Sequence, residues 1–170
     1  MKKVSIIGKG NGWEDAPHEG ECWGITQLNL NRSVSRVIDM NDYEIWGEKE
    51  MKESRQSRVL AYKNHIPYID LDNYPLEEIQ VFFDTDYFSN TVDYAIALAV
   101  YEGFEEIHLY GVNMEIDSEY AYQKPGVDFW CGIAKGKGIK VKIHGSRSKI
   151  MKTVDGFLYG YGYPQKSLWG

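Results

Sequence analysis

The feature that most constrains the fold of this chain is the alternation of short apolar strands with helical segments from end to end. The strand Val4–Ile7 ends in a glycine-rich turn, and the apolar segment 91–102 predicts a helix buried in the middle of the protein. Alternating strands and helices favour a mostly parallel sheet that is covered by helices on both faces. We therefore expect an α/β, three-layer fold in which residues 1–170 form a single domain.

Local patterns place the elements of this fold. Gly103 ends the central helix, and the strand that follows is closed by Gly111. The tail 158–163 has no clear period, and both a wrap around the body and a contact in a homo-oligomer stay open. Strands are predicted at 4–7, 22–26, 34–40, 66–69, 106–110 and 139–143, and helices at 44–63, 91–102 and 125–135.

Composition excludes several classes of protein. The net charge of −6 argues against general nucleic-acid binding, and no apolar run is long enough to cross a membrane. The apolar stretch before Gly8 is too short for a signal peptide. Cys22 and Cys131 are far apart and lack a CxxC neighbour, so neither a disulfide framework nor a zinc knuckle is expected. We expect a cytoplasmic protein with no membrane partner.

The positive charge is concentrated near the end of the chain. The segment 135–152 contains seven basic residues and no acidic one, within a protein that is acidic overall. Such a local positive field suits a small anionic ligand better than a long polyanion. The alternative is that Lys140 and Lys142 protect an edge strand from aggregation.

In a sheet of this kind, ligands bind beyond the carboxyl ends of the strands. The first strand is followed by the turn 8–12, with three glycines in five positions, whose N–H groups are expected to face a phosphate beside the charge of Lys9. The spacing matches neither GxGxxG nor a Walker loop, so an ordinary tight turn is the alternative.

Polar residues follow the other strands as well. Asp39 and Asn41 are expected to meet a ribose hydroxyl. The segment 89–91 offers hydroxyl groups and an amide at a helix N-terminus, which suits an anion, although a plain N-cap is the alternative. Tyr122 is expected to stack on a base and Gln123 to bind the edge of that base.

Catalytic and metal sites receive little support. Asp70-Leu71-Asp72 and Asp84-Thr85-Asp86 match the DxD pattern that holds a divalent cation in some transferases, but chance alone supplies roughly one such pair in a chain of this composition, so two are weak evidence. The histidines lack HxH or HxxxH spacing, and His144 has no partner placed by sequence. Cys131 lies in an apolar helix, where an inert thiol is expected.

The sequence also resembles known proteins. Residues 2–12 resemble the opening KKVxIxGNGPS of bacterial family 42 sialyltransferases and of the related pterin-diphosphokinase-like proteins. Residues 109–114 (LYGVNM) and 119–123 (EYAYQ) are similar to LYGVDM and EYAYQ of a bacteriophage family in the same group. The resemblance spans nearly the whole chain and implies a Rossmann-like fold with a nucleotide pocket.

The departures from these families bear on activity. Thr26, Asn41 and Asn113 stand where the phage family has asparagine, histidine and aspartate, and no histidine follows Tyr122 where the sialyltransferases carry their catalytic base. A general acid–base mechanism needs a group that titrates near the working pH, whereas binding needs only shape, hydrogen bonds and charge. The resemblance therefore implies that a nucleotide-type ligand is bound without turnover.

The resulting hypothesis is a phage protein in the host cytoplasm that sequesters a nucleotide immune signal, such as an ADP-ribose derivative or a cyclic nucleotide. The alternative is a transferase with a nucleotide or sugar-nucleotide donor. No cofactor is expected, and Mg²⁺ enters only with the transferase, on Asp84 and Asp86. The predicted ligand-binding residues are Gly8, Lys9, Gly10, Asn11, Gly12, Trp13, Thr26, Asp39, Asn41, Ser89, Asn90, Thr91, Gly111, Asn113, Met114, Tyr122, Gln123, His144 and Ser146.

Overall fold

The computed structural model describes residues 1–45, 47–115, 120–153 and 155–166. Its centre is a sheet of six strands in the order β4-β3-β2-β1-β5-β6, and every neighbouring pair is parallel. The strands are β1 Lys3–Ile7, β2 Glu21–Ile25, β3 Arg36–Ile38, β4 Tyr68–Ile69, β5 Glu106–Tyr110 and β6 Lys140–Ile143. The α/β, Rossmann-like fold predicted from the sequence is confirmed.

Four helices cover this sheet. The helices are α1 Glu48–Lys63, α2 Leu76–Phe83, α3 Thr91–Tyr101 and α4 Tyr120–Gly136. α3 packs against β1, β2 and α4, and five of its residues, four of them apolar, are completely buried, which explains why its sequence is apolar on nearly every side. α1 instead packs on the short turn Leu28–Leu30 and on β4. Two apolar clusters, one containing Ile6 and the other Ile7, bury opposite faces of β1.

Several predicted boundaries were wrong. β3 is shorter than 34–40, and α1 begins at Glu48 because Tyr43–Ile45 forms a separate single turn; Trp46 lies outside the described residues. α2 was not predicted, although Pro75 and two acidic residues in the first turn are typical of a helix start. α4 begins at Tyr120, before Pro125, so Tyr122 and Gln123 belong to its first turn rather than to a loop.

Lys140 and Lys142 lie on β6, which is an edge strand. Their Nζ atoms lie 3.9 and 3.5 Å from the Glu106 carboxylate on the neighbouring strand. The structure therefore supports the edge-protecting alternative for these two lysines. In the tail, Leu158 N–H donates to the Tyr163 carbonyl, and Phe157 forms an antiparallel bridge with Pro164. None of the described helices has the length and apolarity that a transmembrane segment requires.

Candidate ligand-binding cavity

A cavity of about 1000 Å³ opens at the carboxyl ends of β1 and β5. The strand order reverses between these two strands, since β2 to β4 lie on one side of β1 and β5 and β6 on the other. This reversal is where ligands bind in open α/β sheets. The lining residues are Gly8, Lys9, Gly10, Asn11, Ile25, Thr26, Gln27, Met40, Asn41, Asp42, Tyr43, Glu50, Glu53, Phe88, Ser89, Asn90, Thr91, Val92, Tyr94, Gly111, Val112, Asn113, Met114, Glu115, Gln123 and Arg147.

Most of the predicted site residues meet at this cavity. Those that line it are Gly8, Lys9, Gly10, Asn11, Thr26, Asn41, Ser89, Asn90, Thr91, Gly111, Asn113, Met114 and Gln123. Those that do not are Gly12, Trp13, Asp39, Tyr122, His144 and Ser146. Glu119, which belongs to the EYAYQ motif, lies outside the described residues.

The glycines of the first turn allow two loops to pack closely. The N–H groups of Gly8 and Gly10 donate to the carbonyls of Tyr110 and Gly111, both at 2.8 Å. A Cβ atom added to either glycine would lie 2.6 Å from the Gly111 oxygen, closer than any real contact allows. The prediction that these N–H groups face a phosphate was therefore wrong for Gly8 and Gly10, because the β5 loop already takes them.

Lys9 begins a chain of side-chain hydrogen bonds that runs beneath the cavity. Its Nζ donates to Gln27 Oε1 at 2.8 Å, and Gln27 Nε2 donates to the Tyr43 hydroxyl at 2.5 Å. The Tyr43 hydroxyl in turn donates to Asp39. Burial lowers the pKa of Lys9, and the negative charges of Glu53 and Asp39 partly oppose this shift. Lys9 is therefore held toward β2 and β3.

Asp39 supports the cavity from below. It is completely buried, and its carboxylate accepts hydrogen bonds from Asn41 Nδ2 at 2.8 Å and from the Tyr68 hydroxyl at 2.6 Å, besides that of Tyr43. Burial, together with the negative charge of Asp39, raises the pKa of both tyrosines. The prediction that Asp39 contacts a ribose directly was wrong, because its side chain is completely buried and does not line the cavity.

Ser89 and Asn90 form the N-cap of α3, as the alternative in the sequence analysis expected. The Asn90 side chain accepts from the N–H groups of Val92 and Asp93 and donates to the Gln123 carbonyl. Both the N–H and the hydroxyl of Ser89 donate to Asp93, which is completely buried. Burial raises the pKa of Asp93 to about 6, although these hydrogen bonds oppose the shift. The polar groups of the cap are therefore engaged in hydrogen bonds that stabilise the start of α3.

The aromatic residues of the predicted site lie elsewhere. Tyr122 is 85% exposed on the first turn of α4. Trp13 packs against the buried cluster around Ile7. The aromatic rings that line the cavity are instead Tyr43, Phe88 and Tyr94, of which the last two stack at 4.2 Å.

His144 lies in a separate cluster on β5 and β6. Its Nε2 is 2.9 Å from Nδ1 of His108, whose Nε2 is 2.5 Å from Glu106. The His144 ring also stacks on Tyr110 at 4.1 Å. Burial lowers the pKa of His144, and the neighbouring His108 and Lys142 add to this shift. The histidine that sequence placed at the site therefore packs on the sheet, while Arg147 from the same loop reaches the cavity.

The residues considered as metal ligands or as a nucleophile do not line the cavity. Asp84 and Asp86 are exposed and do not line the cavity, and neither do Asp70 and Asp72. Within the ranges that the structure describes, no cluster of three or more His, Cys, Asp or Glu residues is arranged to hold a metal ion. Cys131 is completely buried, and burial raises the pKa of its thiol.

Several polar residues of the cavity are absent from the predicted site, among them Gln27, Tyr43, Glu50 and Glu53. Gln27 comes two residues after the end of β2, so the rule that placed Asp39 after its strand would have found it. Tyr43 lies in the turn after β3, and Glu50 and Glu53 belong to the first turns of α1. Segment 44–63 is rich in charged residues, and such a helix usually presents them to solvent, so the sequence gives no reason to place these two glutamates at a site.

Sequence comparison finds no match among protein families or curated proteins. Solved structures are similar in fold. The sialyltransferase CstII from Campylobacter jejuni in complex with cytidine-5'-monophosphate is 14% identical, with a TM-score of 0.42 over 87% of this chain and 81% of that chain. Thiamine pyrophosphokinase from Bacillus subtilis is 12% identical, with a TM-score of 0.50 over 85% of this chain and 61% of that chain. At such low identity, the likeness concerns the fold alone.

Proposed function

We propose that the protein binds a small nucleotide-type ligand in the cavity between the ends of β1 and β5 and releases it unchanged. The observation that carries this proposal is the convergence of a cationic side chain, a helix N-terminus and a loop at one cavity. Arg147, Thr91 at the start of α3, and Asn11 after β1 all line it. A guanidinium group and a helix N-terminus both favour a phosphate group.

The size of the cavity suits such a ligand. About 1000 Å³ lies at the upper end of the range for small-molecule sites. Phe88 and Tyr94 add apolar surface to the lining, and Asn41 adds a side-chain amide. These groups would contact the base and the ribose, while Arg147 would contact the phosphate.

Calorimetric titration with a panel of nucleosides and nucleotides tests the proposal. We expect saturable binding by at least one compound, a loss of about tenfold or more in Arg147→Ala, and no change in Lys152→Ala, a basic residue of the same segment that does not line the cavity. Mass spectrometry of the ligand recovered after denaturation should return it intact. Absence of binding by every compound would contradict the proposal.

We further propose sequestration as the biological use, with a host-made nucleotide immune signal as ligand and a phage as the source of the protein. Effective sequestration requires nanomolar affinity, or about −12 kcal/mol. Added protein should remove an ADP-ribose derivative or a cyclic nucleotide from solution, and heating should return it in full. Binding weaker than micromolar would exclude this use while leaving the binding proposal intact.

A transferase with a nucleotide or sugar-nucleotide donor is the second candidate. Glu50 and Glu53 favour it, because they bring two carboxylates to the cavity wall, where a proton acceptor is required. This candidate predicts time-dependent conversion of the ligand that is lost in Glu53→Gln and retained in Glu48→Gln, an exposed glutamate of the same helix. A ligand that stays intact over hours, with donor and acceptor both present, would contradict it.

A further inference from the structure

One wall of the cavity is formed by residues that follow β2 and β3 and by α1. The side-chain hydrogen-bond donors on this wall already bind other groups of the protein. Both ends of the Gln27 amide are engaged, with Lys9 Nζ at Oε1 and the Tyr43 hydroxyl at Nε2. The Tyr43 hydroxyl donates to Asp39, and the Thr26 hydroxyl donates to the Ile25 carbonyl. A ligand on this side therefore finds few donors from these side chains.

The Asn41 side chain presents an acceptor to the cavity. Its Nδ2 donates to Asp39 Oδ1 at 2.8 Å and also lies 3.3 Å from the Tyr43 hydroxyl oxygen. Because a carboxylate only accepts hydrogen bonds, the amide cannot turn around without placing two oxygens together. In the described part of the chain, no donor reaches the remaining Oδ1 atom of Asn41. This oxygen is available to a ligand.

Asn113 shows the same orientation on the other side of the cavity. Its Nδ2 donates to the Asn11 carbonyl at 3.2 Å, and that carbonyl can only accept, so the amide orientation is again fixed. The Oδ1 atom of Asn113 is buried without a hydrogen-bond partner among the described residues. Buried acceptors of this kind are rare in proteins, and this one has almost no exposed surface from which a ligand could donate to it.

Acidic side chains outnumber basic ones along the cavity. Within the described ranges, no cation lies within ion-pair distance of Glu50 or Glu53. The charge of Lys9 interacts with that of Glu53, and Lys9 Nζ is already hydrogen-bonded to Gln27. The ionisable side chains of the lining are the carboxylates Asp42, Glu50, Glu53 and Glu115 and the cations Lys9 and Arg147.

Building on the proposed function, we infer that the cavity selects a nucleotide with a single phosphate group and several hydrogen-bond donors, such as a nucleoside monophosphate or a cyclic mononucleotide. The phosphate pairs with Arg147, and the ribose hydroxyls or an amino group donate to Asn41, Glu50 and Glu53. Each further phosphate brings more negative charge toward Glu50 and Glu53, which have no cation within ion-pair distance among the described residues, and this weakens binding. The cavity therefore discriminates against nucleoside diphosphates and triphosphates, and of the two signals proposed above it favours the cyclic nucleotide over an ADP-ribose derivative.

The test is a calorimetric series in which the base is constant and the phosphate count changes. For each base, the nucleoside, the 5'-monophosphate, diphosphate and triphosphate and the 3',5'-cyclic monophosphate are titrated at one salt concentration with EDTA present, so that no Mg²⁺ masks the phosphate charge. We expect the monophosphate or the cyclic compound to bind at least tenfold more tightly than the triphosphate. The 2'-deoxy form should bind about tenfold more weakly, because one donor is lost.

Two variants connect this preference to the glutamates. In Glu50→Gln combined with Glu53→Gln, the preference for the monophosphate over the triphosphate should fall at least fivefold. Glu48→Gln, on the same helix and outside the cavity lining, should keep the wild-type preference. Melting temperatures recorded in the same buffer would establish that all variants are folded.

The outcomes separate the two proposals. Affinity that rises with each added phosphate, or a preference that the double variant leaves unchanged, overturns the inference about charge while nucleotide binding stands. Absence of binding by every member of the series overturns nucleotide binding and this inference together. A preference for the monophosphate that falls in the double variant and persists in Glu48→Gln supports both.

Discussion

Nδ2 of Asn41 donates a 2.8 Å hydrogen bond to Oδ1 of Asp39, so a completely buried carboxylate fixes the direction of an amide that lines the cavity. Asp39 directly follows β3, and Asn41 comes two positions later, where the side chains are no longer fully buried. The same carboxylate binds the hydroxyls of Tyr43 and Tyr68. A group that never touches the cavity thus determines which atoms face it.

Asp39→Asn should weaken both folding and binding. The new amide group would point its N–H atoms at donors in at least one of these contacts, which costs about 1–3 kcal/mol of unfolding free energy. Asn41 would lose its fixed orientation, and ligand affinity should fall about tenfold. Urea unfolding and calorimetry measure the two effects. Tyr68→Phe is the control, since it removes one hydrogen bond to Asp39 outside the cavity lining and should leave affinity unchanged.

Gly8→Ala should destabilise the protein by about 1–3 kcal/mol, because the added Cβ would lie 2.6 Å from the Gly111 oxygen and force the two loops apart. Gly132→Ala is the matched control within α4, where an added Cβ meets nothing within 4 Å. There the higher helix propensity of alanine should stabilise by up to about 1 kcal/mol. Equal effects of the two substitutions in urea unfolding would show that the loops do not pack as described.

Asp93 should make stability fall as the pH rises from about 4 to about 6. Burial raises its pKa from the ordinary 3.8 to about 6, so the folded state holds a proton that the unfolded state has already released. The cost of ionising the buried carboxyl reaches about 3 kcal/mol at neutral pH. Unfolding free energies at several pH values should show a shallower decline over this range in Asp93→Asn than in wild type. Asp84→Asn, at an exposed carboxylate, should keep the wild-type slope.

His144 should make stability fall as the pH decreases, the opposite of the effect of Asp93. Burial, His108 and Lys142 lower its pKa from 6.5, so the unfolded state takes up a proton first as the pH falls through 6.5. Stability is therefore lost below that pH, and His144→Gln should reduce the loss. His65→Asn removes an exposed imidazole and should not alter the slope between pH 7 and 5. An unchanged slope in His144→Gln would contradict the prediction.

Tyr122→Ala should leave ligand affinity within about twofold of wild type. The sequence pattern had placed this ring on a base, but the side chain is 85% exposed and lies outside the cavity lining. Tyr94→Leu, at an aromatic residue that does line the cavity, is the comparison and should weaken binding. A large loss in Tyr122→Ala would show that α4 rearranges when the ligand binds.

The sequence by itself determined the backbone plan and the edge of the sheet at which the candidate cavity lies. Apolar strands followed by glycine turns predicted β1 and β5, and the apolar run after Asn90 predicted α3. Because parallel strands end at the same edge of a sheet, the residues that follow them were expected to meet, and Lys9, Asn41 and Asn113 do line one cavity. These inferences succeed because strand and helix periodicity is a local property of the chain.

Only the tertiary structure decided what each of these residues does there. Gly8 meets Gly111, Asn11 meets Asn113, and Ser89 meets the Gln123 carbonyl, across separations of 34 to 103 positions along the chain. Such contacts depend on how the elements pack, and no local pattern records them. The partner that packing brings to a polar group determines whether that group is consumed within the protein, as in Asn90, or remains for a ligand, as in the Asn41 oxygen.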